Sequence, residues 1–400
     1  MPHTPAPLSE SQITRIVWTL LCLMPLIGMA IDLVAPSLPA IATGLQVSHY
    51  TAKNVISIYL LGYAFGNFFT GFLTDAFGRQ KLIRFSLLGF ALASLIPLFW
   101  NDITALLLSR LLQGLTLGAV SVLLRAIFAD ILPPEKLVRL GTLIGAMWGL
   151  GPIIGPVMGG YLQVYFGWKA GFCFFAVIAF IAWIATTLVV PETHFNRHPL
   201  RFNTIRQHLT EVFTHRTFLS IIILMGLSYS LLIVFNTSGP FLIQSKLHYS
   251  PIFFGHLALW LGVVFLASTF ACRYALKYYS IEYLLARFIT ILCILAGLGV
   301  ILSYIVHAPL VLVTGISALV FFACGFIFPM TMGKGLSIFR HIAGTATAAM
   351  YLVNILITSL TAFIASLISI QSALSLMWLY FCLLLASVCV YWGMMRQKSM

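Results

Sequence analysis

GFLTDAFGRQK, residues 71–81, sits between two apolar runs near 54–74 and 82–100. Gly71 and Gly78 permit a tight turn and close helix approach. Asp75, Arg79 and Lys81 place both charge signs at one helix junction. An ordinary loop here would carry basic residues, but rarely this spacing of Gly, Asp, Gly, Arg and Lys. Apolar runs of about 20 residues are long enough to cross a bilayer as helices. The stretch therefore reads as a short polar junction between two membrane spans.

The same pattern extends in both directions. Of 400 residues, 61% are hydrophobic and 8% charged, and mean hydropathy is +1.04. Soluble domains average about 45–50% apolar and about 25% charged, so the chain is read as a polytopic membrane protein. Apolar runs place spans near 16–41, 54–74, 82–100, 104–131, 138–165 and 170–191. A second set follows near 217–243, 251–272, 283–306, 309–333, 343–370 and 373–395. Between them lies the one long polar stretch, PETHFNRHPLRFNTIRQHLTEVFTHR. The expected fold is all-α integral membrane: twelve transmembrane helices in two six-helix bundles, 1–191 and 217–400, joined by a cytoplasmic linker at 192–216.

The net charge of +13 does not point to nucleic acid, because the basic residues punctuate the gaps between apolar runs. Of the 22 Lys and Arg, 17 fall on the side that holds both termini and the linker. Only Lys53, Lys169 and Lys246 fall on the other side, while Arg110 and Arg125 lie within spans. By the positive-inside rule both termini are cytoplasmic. The opening MPHTPAPLSESQITR lacks the positive start of a signal peptide, so the first span is expected to be retained. His194, His198, His208 and His215 crowd the linker, but no cysteine or carboxylate cluster completes a metal site; a solvated segment along the membrane surface is expected. All seven cysteines fall in apolar stretches without a CxxC, as buried packing residues do. No metal or other cofactor is expected.

Two further motifs lie inside spans. LLLSRLLQGLTLGA, residues 106–119, puts Arg110, Gln113 and Gly114 in the membrane, and GLGPIIGPVMGGYL, residues 149–162, is dense in Gly and Pro. In a membrane that density allows close backbone packing and a bend against a neighbouring helix. The 71–81 stretch resembles the signature loop of the major facilitator superfamily, G-x-L-x-D-x-x-G-R-x-K. The span 4 stretch resembles that superfamily's second motif, whose arginine is implicated in proton coupling, and the span 5 stretch the motif that marks its antiporters. AIDLVAPSLPAI, LLRAIFADILP, PETH and NTSGPFLIQSKLHYSP are similar to the Bcr/CflA branch of drug:proton antiporters, named for bicyclomycin and chloramphenicol resistance. The echo between spans 8 and 9, RYALKYYSIEYLLAR, lacks the glycines. The resemblance implies a major facilitator fold, proton-coupled drug efflux and a bacterial inner membrane.

The residues themselves narrow the chemistry. No G-x-x-x-x-G-K-[ST] loop is present to cradle a nucleotide. Of nine acidic residues only Asp32 lies deep in an apolar span. An aspartate at the centre of a membrane helix costs about 2.5–3.5 kcal/mol on insertion scales. A proton-driven carrier needs one such group; the alternative is a buried acid that fixes helix packing. Arg110 is its expected partner, since a rise of about 1.5 Å per residue puts the two at depths about 5 Å apart. Leaving water favours a carboxyl's neutral form and a nearby guanidinium its ionised one, so a changing separation would shift proton affinity. At the cytoplasmic rim, Arg79 is expected to join Asp75 and Asp130 in a lock beside Lys81, with Asp75 near the partly positive start of span 11 at Gly344 and Thr345. Arg125 could instead take Asp130. Candidate cavity residues are Tyr59, Tyr63, Asn67, Gln113, Asn236, Phe241, Tyr351, Asn354 and Tyr380, polar or aromatic groups in aliphatic spans; packing is the alternative for each. Asn236-Thr237-Ser238 matches a glycosylation sequon, but it lies within a span.

Together these residues predict a monomeric proton-coupled antiporter exporting small organic molecules, with protons and lipid as its other partners. A proton-coupled nutrient symporter is the alternative, against which the Gly/Pro-rich span 5 argues. A membrane-embedded enzyme would need several polar groups converging in lipid, and a receptor would usually carry a sizeable soluble domain.

Overall fold

A computed structural model describes residues 8–194, 202–305, 308–339, 342–368 and 372–395. Side chains of a few helical residues, Asp75 among them, lie outside that description, as do linker residues 195–201 with His198. The described residues form fourteen α-helices and no strand.

The first span is longer than the apolar run and is broken. α1 (Glu10–Asp32) starts under a capping box in which Ser9 and Gln12 exchange bonds. It ends at Asp32, passes through a 3₁₀ turn at Ala35–Ser37, and resumes as α2 (Leu38–Gly44). Pro36 cannot donate to the helix ladder, which accounts for the break. α3 (His49–Phe77) starts five residues before the expected span, because Ser48 caps it by accepting from Thr51 N–H. α4 (Arg79–Phe99) follows after the single residue Gly78, whose φ of 88° is one that L side chains rarely adopt.

α5 (Ile103–Ile131), α6 (Pro134–Phe166) and α7 (Lys169–Val189) complete the first set of six long helices. The amphipathic α8 (Phe202–Thr214) then buries Val212 against Phe218, Phe339 and Ala346. Four helices follow: α9 (Arg216–Pro240), α10 (Pro251–Ala275), α11 (Ile281–Ile305) and α12 (Pro309–Ile338). α13 (Ala343–Leu367) and α14 (Ala373–Val390) close the second set. His215 serves as N-cap of α9, its Nδ1 accepting from Phe218 N–H. Ten of the twelve long segments are apolar enough to cross a membrane by length and composition, among the described residues. The other two, α3 and α6, include residues outside that description. The chain is a multi-pass membrane protein.

Between helices in lipid, small residues and close packing replace the hydrophobic drive of water. The Gly/Pro stretch of α6 shows how. Gly151, Gly155 and Gly159 lie four residues apart, on one face against the end of α1 and its C-cap, Gly28–Leu33; a Cβ at Gly151 or Gly159 would strike that backbone. On another face Gly160 meets Pro251 and Ile252 of α10, and Gly255 of α10 meets Pro156 and Val157 in return. α3 packs on α5 within its own set and on α13 of the other. α3–α13 and α6–α10 thus form the seam between the sets.

Candidate functional site

Polar groups buried between helices gather where α1, α3, α5 and α9 approach. Asp32, 6% exposed, accepts a hydrogen bond from Asn236 Nδ2 of α9 at 2.5 Å. It stands at the end of α1, where the chain breaks. Gly155 of α6 packs against its Cβ, leaving no side chain on that flank.

Arg110 is fully buried, and its donors go elsewhere than to Asp32. Nε donates to Val55 O (3.0 Å), one terminal nitrogen to Gln113 Oε1 (2.8 Å) and the other to Ala30 O (3.1 Å). Its guanidinium lies over the Tyr59 ring, 4.2 Å from the centroid. Gln113 in turn donates to Ser94 Oγ of α4 (2.7 Å), and Ser94 to Phe90 O. One cation therefore ties α1, α3, α4 and α5 together. The reason is planar geometry: a guanidinium offers five donors in a fixed fork, and the backbone carbonyls of α1 and α3 point into it. Arg110 and Asp32 are neighbours through Ala30, two residues away, rather than through an ion pair.

The expected cavity residues separate into groups. Tyr59 and Tyr229 both fall within the electrostatic reach of Asp32, and Tyr63 within that of each tyrosine. Tyr229 is one that sequence reasoning missed; it lies seven residues before Asn236, two helical turns away on the same helix. Asn67 donates to Ser121 Oγ of α5 (2.7 Å). Tyr351 receives Arg125 over its ring, 4.4 Å from the centroid, so Arg125 is engaged there rather than with Asp130. The buried hydroxyl of Tyr59 and the side-chain amide oxygen of Asn354 have no hydrogen-bond partner among the described residues, and neither do the hydroxyls of Ser228 and Ser238. These groups could meet a polar ligand. Two candidates lie apart from Asp32: Tyr380 is buried between α12 and α14 and bonds Ser317 (3.1 Å). Phe241 packs near the end of the fold remote from the termini, its ring tilted against that of His49 at 4.6 Å.

That remote end is tied by a residue read as a loop cation. Lys53, 1% exposed, donates Nζ to Ile368 O (2.9 Å) and Ala365 O (3.3 Å) at the end of α13. Ser359 Oγ donates to Ser57 O (2.8 Å), and Gln244 Nε2 to Pro36 O (2.9 Å). A lysine at the fifth position of a capped helix, preceding an apolar run, was the available signal.

At the opposite end Arg79 Nε donates to Asp130 Oδ2 (3.3 Å), which also accepts from Thr193 Oγ1 (2.8 Å). Lys81 is exposed, and the Asp75 side chain is outside the described residues. Glu192, quoted above only within PETH, accepts from the backbone N–H of Arg79 (2.9 Å), Thr193 and His194. It thus meets the partly positive start of α4. The whole cluster joins α4, α5 and the segment after α7.

The sequence model of a family described as Major Facilitator Superfamily matches residues 20–362. A bicyclomycin resistance protein homolog of Haemophilus influenzae is 29% identical over 55% of this chain and 55% of its own length. The chloramphenicol resistance protein CraA of Acinetobacter baumannii is 27% identical over 58% of this chain and 57% of its own. The chain thus spans little more than half the length of these two relatives. The multidrug resistance protein MdtL of Shewanella oneidensis is 25% identical over 88% of this chain and 89% of its own. Among solved structures, a D-xylose-proton symporter superposes with a TM-score of 0.78 at 14% identity, covering 96% of this chain and 98% of its own. At that identity the likeness concerns the fold alone.

Proposed function

The chain belongs to the major facilitator superfamily, and on that premise we propose that it is a proton-coupled antiporter exporting small organic molecules by alternating access. The observation that carries the reading is Asp32: an acid buried in mid-membrane, at a helix break, bonded across the two helix sets. Ionisable groups so placed mark ion and proton pathways. The names of the bicyclomycin, chloramphenicol and multidrug resistance relatives support drug-like cargo. On this reading 1–191 and 217–400 rock as two bundles about Asp32, with 192–216 as their tether. Tyr59, Tyr63, Asn67, Tyr351 and Asn354 face the cargo, and Arg79 with Asp130 and Asp75 governs the cytoplasmic rim. The protein is a monomer of the bacterial inner membrane with both termini cytoplasmic, which the 17 to 3 distribution of basic residues supports.

Everted vesicles with a pH-sensitive dye test this directly. Bicyclomycin and chloramphenicol head the panel of added compounds. An exported compound should release protons from the acidified lumen in the native protein and not in Asp32→Asn. A symporter would leave the lumen acidic when compound is added outside. Proton release that persists in Asp32→Asn would remove Asp32 from the mechanism.

A further inference from the structure

Asp32 opens the run Asp-Leu-Val-Ala-Pro, and Asn236 opens Asn-Thr-Ser-Gly-Pro. The two opening residues are 204 positions apart, and so are Pro36 and Pro240. α1 and α9 are the first long helices of their sets, so the runs occupy corresponding places. A proline frees the carbonyl four residues before it, and here those are the carbonyls of Asp32 and Asn236 themselves. Each run also leads into a change of winding: α1 stops at Asp32, and α9 stays α-helical through Pro240 and then widens into a π-helical turn over Phe241–Lys246. Interrupted helices in corresponding positions of two repeats mark the working point of a transporter. Here the residues that open the two proline runs also bond each other, through side chains that are 6% and 7% exposed.

We propose that Asn236 is the positioning residue of the proton site, tying the Asp32 carboxylate of one helix set to the other set. This rests on the antiport reading above. A hydrogen bond to an ionised carboxylate is roughly twice as strong as a neutral one, so proton uptake at Asp32 weakens the tie. By linkage, parting of the sets at the remote end favours uptake, and rejoining favours release. The other groups facing the pair are Tyr59 of α3 and Tyr229 of α9, with Tyr63 behind them. Arg110 of α5 lies alongside, its donors held by Ala30, Val55 and Gln113, and α6 contributes Gly155. An amide at 236 keeps the shape of the repeat while leaving one titrating group. Two carboxylates at that distance could not both ionise.

Spin labels at Asn101→Cys and Ser372→Cys, both exposed on the remote end of opposite sets, report the separation in a background cleared of native cysteines. The purified protein in lipid nanodiscs, without added compound, is compared at mildly alkaline and mildly acidic pH. The native pair should move apart on acidification. Asn236→Ala should stay apart at both pH values, and Asp32→Asn should lose the pH response. The exchange Asp32→Asn with Asn236→Asp should restore it. A native-like pH response in Asn236→Ala, or none in the exchange variant, overturns the role of Asn236. An unchanged response in Asp32→Asn instead overturns the antiport reading beneath it.

Discussion

In α5, a fully buried guanidinium and Gln113 fasten four helices of the first set through backbone carbonyls and Ser94. In α12, which holds the corresponding place in the second set, no guanidinium stands; Ser317 bonds Tyr380, and Cys324 Sγ donates to Ser228 O (3.2 Å). Around it stand aromatic rings: Phe235 against Phe254 and Phe321, and Phe288 against Phe326 at 4.0 Å. The rim shows a different relation. Arg79–Asp130 joins the start of α4 to the end of α5, and Glu282–Lys334 joins the start of α11 to the end of α12. The places correspond and the signs are reversed. Each rim pair braces helices of its own set, whereas Lys53, Ser359 and Asn236 bind one set to the other. The contrast separates scaffold from seam: a buried guanidinium network braces the first set, hydroxyl, thiol and ring contacts brace the second, and a few buried hydrogen bonds hold the two together.

Arg110 is where the difference between the sets can be broken most forcefully. Arg110→Ala takes a charged donor from Ala30 O, Val55 O and Gln113 Oε1, and hydrogen bonds to a charged group contribute about 1.5–3 kcal/mol each. Thermal unfolding of the purified protein should fall steeply, and Arg110→Lys should not rescue it, because an ammonium cannot reproduce the fork. Ser317→Ala, at the matching place, should cost only about 1 kcal/mol. Equal melting of Arg110→Ala and Ser317→Ala would erase the contrast.

The seam should respond without the scaffold. Lys53→Met removes two bonds to the end of α13 and leaves each set's interior untouched. Hydrogen bonds to a charged group contribute about 1.5–3 kcal/mol, enough for about tenfold in an opening equilibrium. A maleimide should therefore label Ser57→Cys, buried at the seam, about tenfold faster in the Lys53→Met background. The melting temperature should move little. Unchanged labelling would mean that Lys53 is not a latch.

The smallest effect concerns helix starts. Asp102 caps α5 by accepting from Ala105 N–H (3.1 Å), while Ala308 at the start of α12 offers no side-chain cap. That backbone bond holds the exposed Asp102 carboxyl below its ordinary 3.8. A depressed value means that the stabilisation is complete above the ordinary value and fades as pH falls through the lower, folded one. Acidification to that range should lower the protection of the first-turn amides of α5, measured against their intrinsic exchange rates at each pH, and Asp102→Ala should remove that change in protection. The first turn of α12 should show none from this source.

The spans were legible because lipid demands long unbroken apolar runs, and the superfamily because its signature loop sits at one junction. What sequence gives poorly is rotation about a helix axis. The depth of Arg110 near Asp32 follows from rise per residue, yet its partners are carbonyls, which every residue carries alike. Lys53 counted as a loop cation because apolarity starts at residue 54, whereas the Ser48 cap starts the helix at His49. Asn236 was visible as a polar residue in a span. Its contact with Asp32 depends on how two sets of helices meet, a long-range fact that no local pattern encodes.

The division into scaffold and seam meets its most direct test in two matched cross-links. Ser359 Oγ reaches Ser57 O across the seam, and Ser109 Oγ reaches Ala93 O within the first set (2.6 Å). Both contacts bring the paired residues side by side, and cysteines there are joined by oxidation or, where their Cβ vectors diverge, by a short bifunctional thiol reagent. In a cysteine-free background, Ser57→Cys with Ser359→Cys should stop proton-coupled export when oxidised and recover on reduction. Ala93→Cys with Ser109→Cys should transport equally well in both states. Export that survives the oxidised seam cross-link, or fails with the cross-link inside the first set, would contradict the account.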